Sequence, residues 1–265
     1  MTKLTVADLR ALKGTRQLCM LRVESVEEAA AAQQAGIDMI SVAPQLLKHP
    51  QFRDAAPTVF VVASLSYGLY ATPKDYLRAA FEVRRAGADA VYCAASLRVV
   101  RRLAEERVPV CGHAGLIPSQ ATWTGGFKAV GKTVESARRV LRQVRDLEKA
   151  GAVMAELEVV PEAVAAAIAR RTSLILLSMG SGAGCDGQYL FATDVLGAHK
   201  GHYPRHSKTY RNFAAEHDRL QAERIAAFGE FAGDVSSGAY PAARHTVAVD
   251  GEVLAAFVGQ LDDVG

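Results

Sequence analysis

Two carboxylates, two residues apart in an otherwise apolar run, are the first chemistry this sequence offers: "VMAELEVV" at 153–160 carries Glu156 and Glu158. In an extended chain side chains alternate between faces, so Met154, Glu156, Glu158 and Val160 share one side and both acids point the same way. Glu158 lies just ahead of Pro161, and Glu156 lies about 6.6 Å deeper along the strand. Burial raises a carboxyl pKa unless a cation stands near, and a carboxyl tuned in that way suits general acid/base work. The alternative for either acid is a structural ion pair with a buried arginine. Glu158 is read as the functional member and Glu156 as the structural one.

His113 ends the segment "VPVCGHA" (108–114), behind Gly112, whose missing side chain permits close backbone approach. It is either a hydrogen-bonded core histidine or a catalytic one. The following "TGGFKAVGKT" (124–133) is glycine-rich and basic but lacks the spacing of a phosphate-binding P-loop, and it reads as an active-site loop. "MGSGAGCDGQ" (179–188) is either an anion-binding turn built on backbone N–H groups or a tight connection. His199, His202 and His206 have spacings of three and four with no obvious carboxylate or cysteine partner, a poor zinc pattern.

Such residues need elements to hold them. Strand-like runs recur at 18–23, 37–43, 58–65, 88–94, 108–114, 153–160 and 173–179, with an eighth candidate near "TDVLGA" (193–198). Helical segments with start signals lie between them: Thr5 with Asp8 three residues on, Ser25, Thr72-Pro73, Thr133 and Pro161. Near-continuous apolar strands alternating with amphipathic helices imply a parallel sheet covered on its outer face, and seven or eight units point to a closed (β/α)8 TIM barrel. In that architecture the chemistry sits at the C-terminal ends of the strands, which is where Glu158 and His113 fall. Residues 210–235 read as one or two extra helices followed by a turn at "SSGAYP", suited to packing across a barrel end or to a subunit interface. Residues 1–265 are expected to form a single barrel domain with this helical extension at about 210–246.

Composition narrows the function class. The chain has 31 basic and 28 acidic residues, too even a balance to indicate nucleic-acid or anionic-membrane partners, and half its residues are hydrophobic, enough for a full core. No stretch reaches the roughly 18 apolar residues of a membrane span, and the N-terminal segment lacks a signal-peptide core. Cys19, Cys93, Cys111 and Cys185 are irregularly spaced, which implies reduced thiols rather than a disulfide framework. Cytoplasmic small-molecule chemistry is the expectation.

Several segments together carry a family likeness: "YATPKDYLRAAFEVRRAGADAV", "ERVPVCGHAGLIPSQ", "GGFKAVGK", "LEVVPEAVAAAI", "GSGAGCDGQYLFATDVLG" and "SSGAYP", in order over about 18–246. The chain resembles the ketopantoate hydroxymethyltransferases, barrels of the phosphoenolpyruvate mutase/isocitrate lyase type. The resemblance implies a cytoplasmic homo-oligomer, often a decamer, which adds a one-carbon unit from methylenetetrahydrofolate to 2-keto-isovalerate, with Mg2+ stabilising the enolate. By position, Glu158 matches the family's acid/base glutamate and His113 its active-site histidine.

The family's metal set is not matched. "VGDS" is "VAPQ" here, Ala43-Pro44 included, with neither the metal aspartate nor the neighbouring serine present. "ADLPF" is "ASLSY", with Ser64 for the second aspartate. "KIEGG" is "YCAAS", with Tyr92 for the substrate lysine and Ala94 for the glutamate. A hard dication needs oxygen ligands, usually including carboxylates, so Mg2+ is not expected; the folate donor stays open. Arg22 and Glu156 are charges where the family has none. Arg22 either pairs with Glu156 or, with Ser64 and Tyr92, binds a substrate carboxylate. The resulting expectation is a divergent aldol-type enzyme acting on a 2-keto acid. The alternatives are a non-catalytic paralogue serving as a binding or regulatory subunit, and a lyase or hydrolase acting on another acid.

Overall fold

In the computed structural model, which describes residues 3–261, the apolar runs close into an eight-stranded, all-parallel barrel whose strands follow chain order. The strands are β1 (Leu18–Arg22), β2 (Met39–Val42), β3 (Phe60–Ser64), β4 (Ala90–Tyr92), β5 (Val110–Gly115), β6 (Met154–Glu158), β7 (Ile175–Met179) and β8 (Gly187–Phe191). The first seven lie in the expected runs. The helix starts follow the sequence signals: Thr5, Thr72 and Thr133 each form a reciprocal capping box, and Ser25 accepts from the Glu28 N–H.

The eighth strand is a correction. It is not the "TDVLGA" segment, which forms the short helix Ala192–Leu196, but Gly187–Phe191, and it pairs with β7 and β1 to close the barrel. The glycine run after β7 supplies the connection. With no helix between β7 and β8, the chain from Gly180 to Asp186 returns directly and lies against the helix Glu162–Ala169. A Cβ at Gly182 would collide with Glu162, and one at Gly184 with Ala166, so the glycines serve close packing. Of the two readings of this run, the tight connection accounts for Gly182 and Gly184, and Gly187 and Gln188 belong to β8 itself.

Side-chain alternation sorts the barrel interior into two layers. The lower one is apolar: Leu18, Met20, Met39, Phe60, Val62, Ala90, Cys111, Met154, Ile175 and Leu177 form one buried cluster. Leu9, on the helix Val6–Leu12, joins that cluster and is fully buried, so this helix floors the barrel at its N-terminal end. Two positions further along β1 to β6, the inward residues turn polar, while β7 continues with Met179.

The chain divides into two compact units, one through Arg211 and one from Asn212. The second contains the 25-residue helix Phe213–Ser237, capped by Asn212, and the helix Gly251–Val258, which lies beyond the expected extension. Leu220, Ile225, Phe228, Phe231, Val253, Leu254 and Phe257 of this unit are all exposed. No helix among the described residues is long and apolar enough to cross a membrane.

Candidate functional site

Strand alternation carries Arg22, Ser41, Ser64, Tyr92, His113, Glu156 and Glu158 into the upper interior layer, at the C-terminal ends of the strands, above Tyr189 of β8, which is in register with Met20. They form two groups on different walls.

The first group is built on β4, β5 and β6. Register pairs His113 with Glu156 and Gly115 with Glu158, so the ring lies between the two acids. His113 Nδ1 is 3.3 Å from Glu156 Oε2 and 2.8 Å from the Tyr92 hydroxyl. On the other edge, Nε2 is 3.1 Å from Glu158 Oε2 and donates to the Leu116 carbonyl at 2.8 Å. The His113 and Glu156 side chains are almost fully enclosed, while Glu158 keeps 13% of its side-chain surface. Burial opposes charge on His113, but the carboxylates of Glu156 and then Glu158 outweigh it and push the imidazole up to about 10. Burial also pushes the Glu156 carboxyl up, against the pull of His113. For Tyr92, burial and the nearby Glu156 hold the phenol in its protonated form.

Glu158 stands on a sharp elbow. Val159 has φ of 49°, a left-handed conformation that is costly for a β-branched residue. Ser181, completely buried, fixes the bend: its hydroxyl donates to the Leu157 carbonyl at 2.7 Å and accepts from the Val160 N–H at 3.0 Å. The Leu116 N–H donates to the Glu158 carbonyl at 2.9 Å, a close approach made beside Gly115, where φ is +88° and a Cβ would strike that same carbonyl. Gly112 lets the chain approach Leu147, whose Cδ2 would lie 2.6 Å from an added Cβ.

The second group lies on β1, β2 and β3. Arg22 donates from Nη1 to Ser64 Oγ at 2.9 Å and from Nε to Glu24 Oε1 at 2.7 Å. Ser41 Oγ is 3.5 Å from Ser64 Oγ, and the buried Tyr189 of β8 is near enough to be influenced by Ser41 and Arg22. Of the two fates expected for Arg22, direct pairing with Glu156 is not what the structure shows: its carboxylate partner is Glu24, and Glu156 feels it only at longer range. β1 and β6 are separated by β7 and β8 around the barrel, and Glu24 and Ser64 hold the guanidinium on its own wall.

Ser41, Tyr189, Glu24 and Ser181 were not singled out from the sequence. Tyr189 would have appeared at an inward position had β8 been placed at Gly187–Phe191. Ser181 leaves no periodic signal, because it acts through backbone groups of another strand.

The donor set at the expected metal positions is thin. Ala43 and Ala94 offer no side-chain oxygen, Pro44 begins a short helix, and the Ser64 hydroxyl already accepts from the Arg22 guanidinium. These residues do not fit a six-coordinate hard dication, and no group of three or more metal-binding side chains occurs among the described residues. His199, for which no acidic partner was evident in sequence, is 2.9 Å from Asp194 Oδ1 through Nε2, and Ser207 donates to the other oxygen of that carboxylate.

A cavity of about 260 Å³ reaches His113, bounded by Ala94, Ser96, Ile117, Gln120 and Asp146; that volume suits a small metabolite. A separate cavity of about 580 Å³ lies by the loop after β5, lined by Trp123, Lys128, Lys132 and Arg139. The roomier cavity of about 730 Å³ between Arg10, Lys13, Arg16, Arg170 and Asp186 lies at the N-terminal ends of the strands, away from this chemistry.

Comparison with known proteins agrees with the architecture. The barrel aligns with oxaloacetate acetylhydrolase (TM-score 0.54, 14% identity, 89% of this chain and 98% of the other). It also aligns with 2,3-dimethylmalate lyase (TM-score 0.53, 15% identity, 85% and 87%), a phosphoenolpyruvate mutase/isocitrate lyase superfamily member, and the fold is that of this superfamily. At sequence level, the 3-methyl-2-oxobutanoate hydroxymethyltransferase of Burkholderia thailandensis is 37% identical over 195 residues, covering 72% of this chain and 69% of the relative. That of Burkholderia mallei is 38% identical over the same length and shares. The family model for ketopantoate hydroxymethyltransferase matches residues 45–243. The chain belongs to the ketopantoate hydroxymethyltransferase family.

Proposed function

We propose that this protein makes or breaks a carbon–carbon bond next to the carbonyl of a small 2-keto acid, through an enolate and without the Mg2+ site of its family. The observation that carries the reading is the pairing of Glu158 with His113 at the C-terminal mouth of the barrel, opposite a wall that presents Arg22. Glu158 is the acid/base: it takes the proton from the carbon next to the carbonyl and returns it in the reverse direction. Arg22, steadied by Ser64 and Glu24, receives the substrate carboxylate, for which a guanidinium offers paired donors. His113 and Tyr92 supply fixed polarity where the enolate charge develops. A folate one-carbon donor would find an aromatic face at Trp123 and cations at Lys128 and Lys132 in the neighbouring cavity. The substrate class and the homo-oligomeric, cytoplasmic setting are carried over from the relatives.

The test is deuterium incorporation at C3 of 3-methyl-2-oxobutanoate in D2O, followed by NMR, with EDTA or Mg2+ and with Glu158→Gln alongside. Exchange that persists in EDTA and is lost in the variant is the expected result. Exchange that requires Mg2+ would overturn the metal-free part of the reading.

A second reading is favoured by Ala43, Ser64, Tyr92 and Ala94 at the strand ends: a non-catalytic paralogue that binds a ligand for regulation. It predicts no exchange under any condition and no Glu158-dependent affinity for keto acids or folates. A lyase or hydrolase acting on a different acid would instead show Glu158-dependent binding of that acid without exchange of this one.

A further inference from the structure

We propose that Glu156 is a positioning residue that keeps His113 an imidazolium while Glu158 gains and loses its proton during turnover. This rests on the reading of Glu158 as the acid/base.

The hydrogen-bond geometry divides the labour between the two edges of the ring. Nε2 faces the Leu116 carbonyl at 2.8 Å, and a carbonyl only accepts, so Nε2 carries hydrogen whatever the charge of the ring. The charge is therefore decided at Nδ1. Two groups meet Nδ1: the Tyr92 hydroxyl at 2.8 Å, which accepts or donates equally well, and Glu156 at 3.3 Å, which when ionised only accepts. With Tyr92 alone, Nδ1 is free to stay bare and accept the phenolic hydrogen. A carboxylate at the same edge favours a protonated Nδ1, and the phenol then becomes a second acceptor or turns its hydrogen elsewhere.

The other charged and titratable groups around the ring do not replace Glu156. Glu158 bears on Nε2, and Cys111 lies one step below on the same strand as His113. Asp146, on the helix Val134–Lys149, lines the cavity that reaches the ring. Tyr189 and Arg22 face the Glu156 side of the layer from β8 and β1.

The need for a second carboxylate follows from the proposed step. The C–H bond next to the carbonyl breaks, its proton goes to a Glu158 oxygen, and the electron pair remains on the substrate as the enolate. Glu158 becomes neutral at that moment. A ring held only by Glu158 would lose its counter-ion when the site most needs a cation. Glu156, bound at the opposite edge, retains the imidazolium, whose attraction then falls on the enolate. Glu156 touches no reacting atom in this scheme and acts through His113.

The test reads the ring directly in full-length protein labelled with 15N-histidine, without ligand, the His113 signals being assigned by their loss in His113→Gln. Wild type is expected to show both ring nitrogens protonated at pH 8. Glu158→Gln imitates the protonated base and is expected to keep the imidazolium at pH 8. Glu156→Gln is expected to lose the Nδ1 proton, its ratio of charged to neutral ring falling by about tenfold or more. Glu156→Asp retains the charge and is expected to rescue the imidazolium, which separates charge from packing. A neutral ring in wild type at pH 7, or a neutral ring in Glu158→Gln beside a charged one in Glu156→Gln, would overturn the proposal. None of these readings depends on turnover: absence of C3 exchange would sink the reading of this keto acid as the substrate and leave the ring's charge measured. Exchange alongside a neutral ring would sink this inference alone. Where exchange occurs, Glu156→Gln is expected to lower kcat by about tenfold or more with little change in KM, as for a group acting on developing charge.

Discussion

At the scale of single residues, the site is defined by which proton sits where. The folded-state value of His113 is raised from 6.5 to about 10, so its contribution to stability is complete below about pH 6.5 and is lost as pH rises through 10. The melting temperature of wild type should therefore fall between pH 7 and 10 by an amount on the order of 5 °C. Glu156→Gln should flatten that slope, and thermal melts across this range check it; parallel slopes would contradict the assignment. That Glu158 and His113 share the mouth of the barrel was legible in sequence, because an acid in an apolar run and a histidine at a strand end stand out. The pairing of Arg22 with Glu24 was not, since which of several acids a long side chain meets depends on where its strand ends within the closed barrel.

At the scale of elements, the first seven strands were readable because each is a short apolar run preceded by a helical segment. The eighth was misplaced because its run, "GQYLF", begins inside a glycine-rich segment that looks like a loop. The direct return from β7 to β8 removes the helix that normally announces the next strand. The elbow after β6 makes a sharper prediction. Ser181→Ala leaves the Leu157 carbonyl and the Val160 N–H without their buried partner, which should destabilise the protein by about 1–3 kcal/mol in urea unfolding. Because the same bend aims Glu158, C3 exchange should also slow in this variant. A change in stability below about 0.5 kcal/mol would show that the bend holds without the hydroxyl.

At the scale of the whole molecule, the second unit leaves an unusual amount of apolar surface uncovered. Ile225 is 64% exposed, Phe228 72% and Phe257 60%, more than a soluble monomer normally displays along one pair of helices. A homo-oligomer that covers these side chains is the expected solution state. Sedimentation velocity should give a mass of at least two chains of 28.3 kDa, and Phe228→Asp with Phe231→Asp should lower it. A monomer at micromolar concentration would refute that expectation.

The floor of the barrel has a further consequence, and it concerns evolvability. Leu9 and the ten apolar side chains above it anchor the strands from below, independently of what lies at the mouth. Cohesion and chemistry thus occupy different storeys of one scaffold. Substitutions among the polar residues of the upper storey are therefore expected to change the chemistry while leaving this floor, and the strands it anchors, in place.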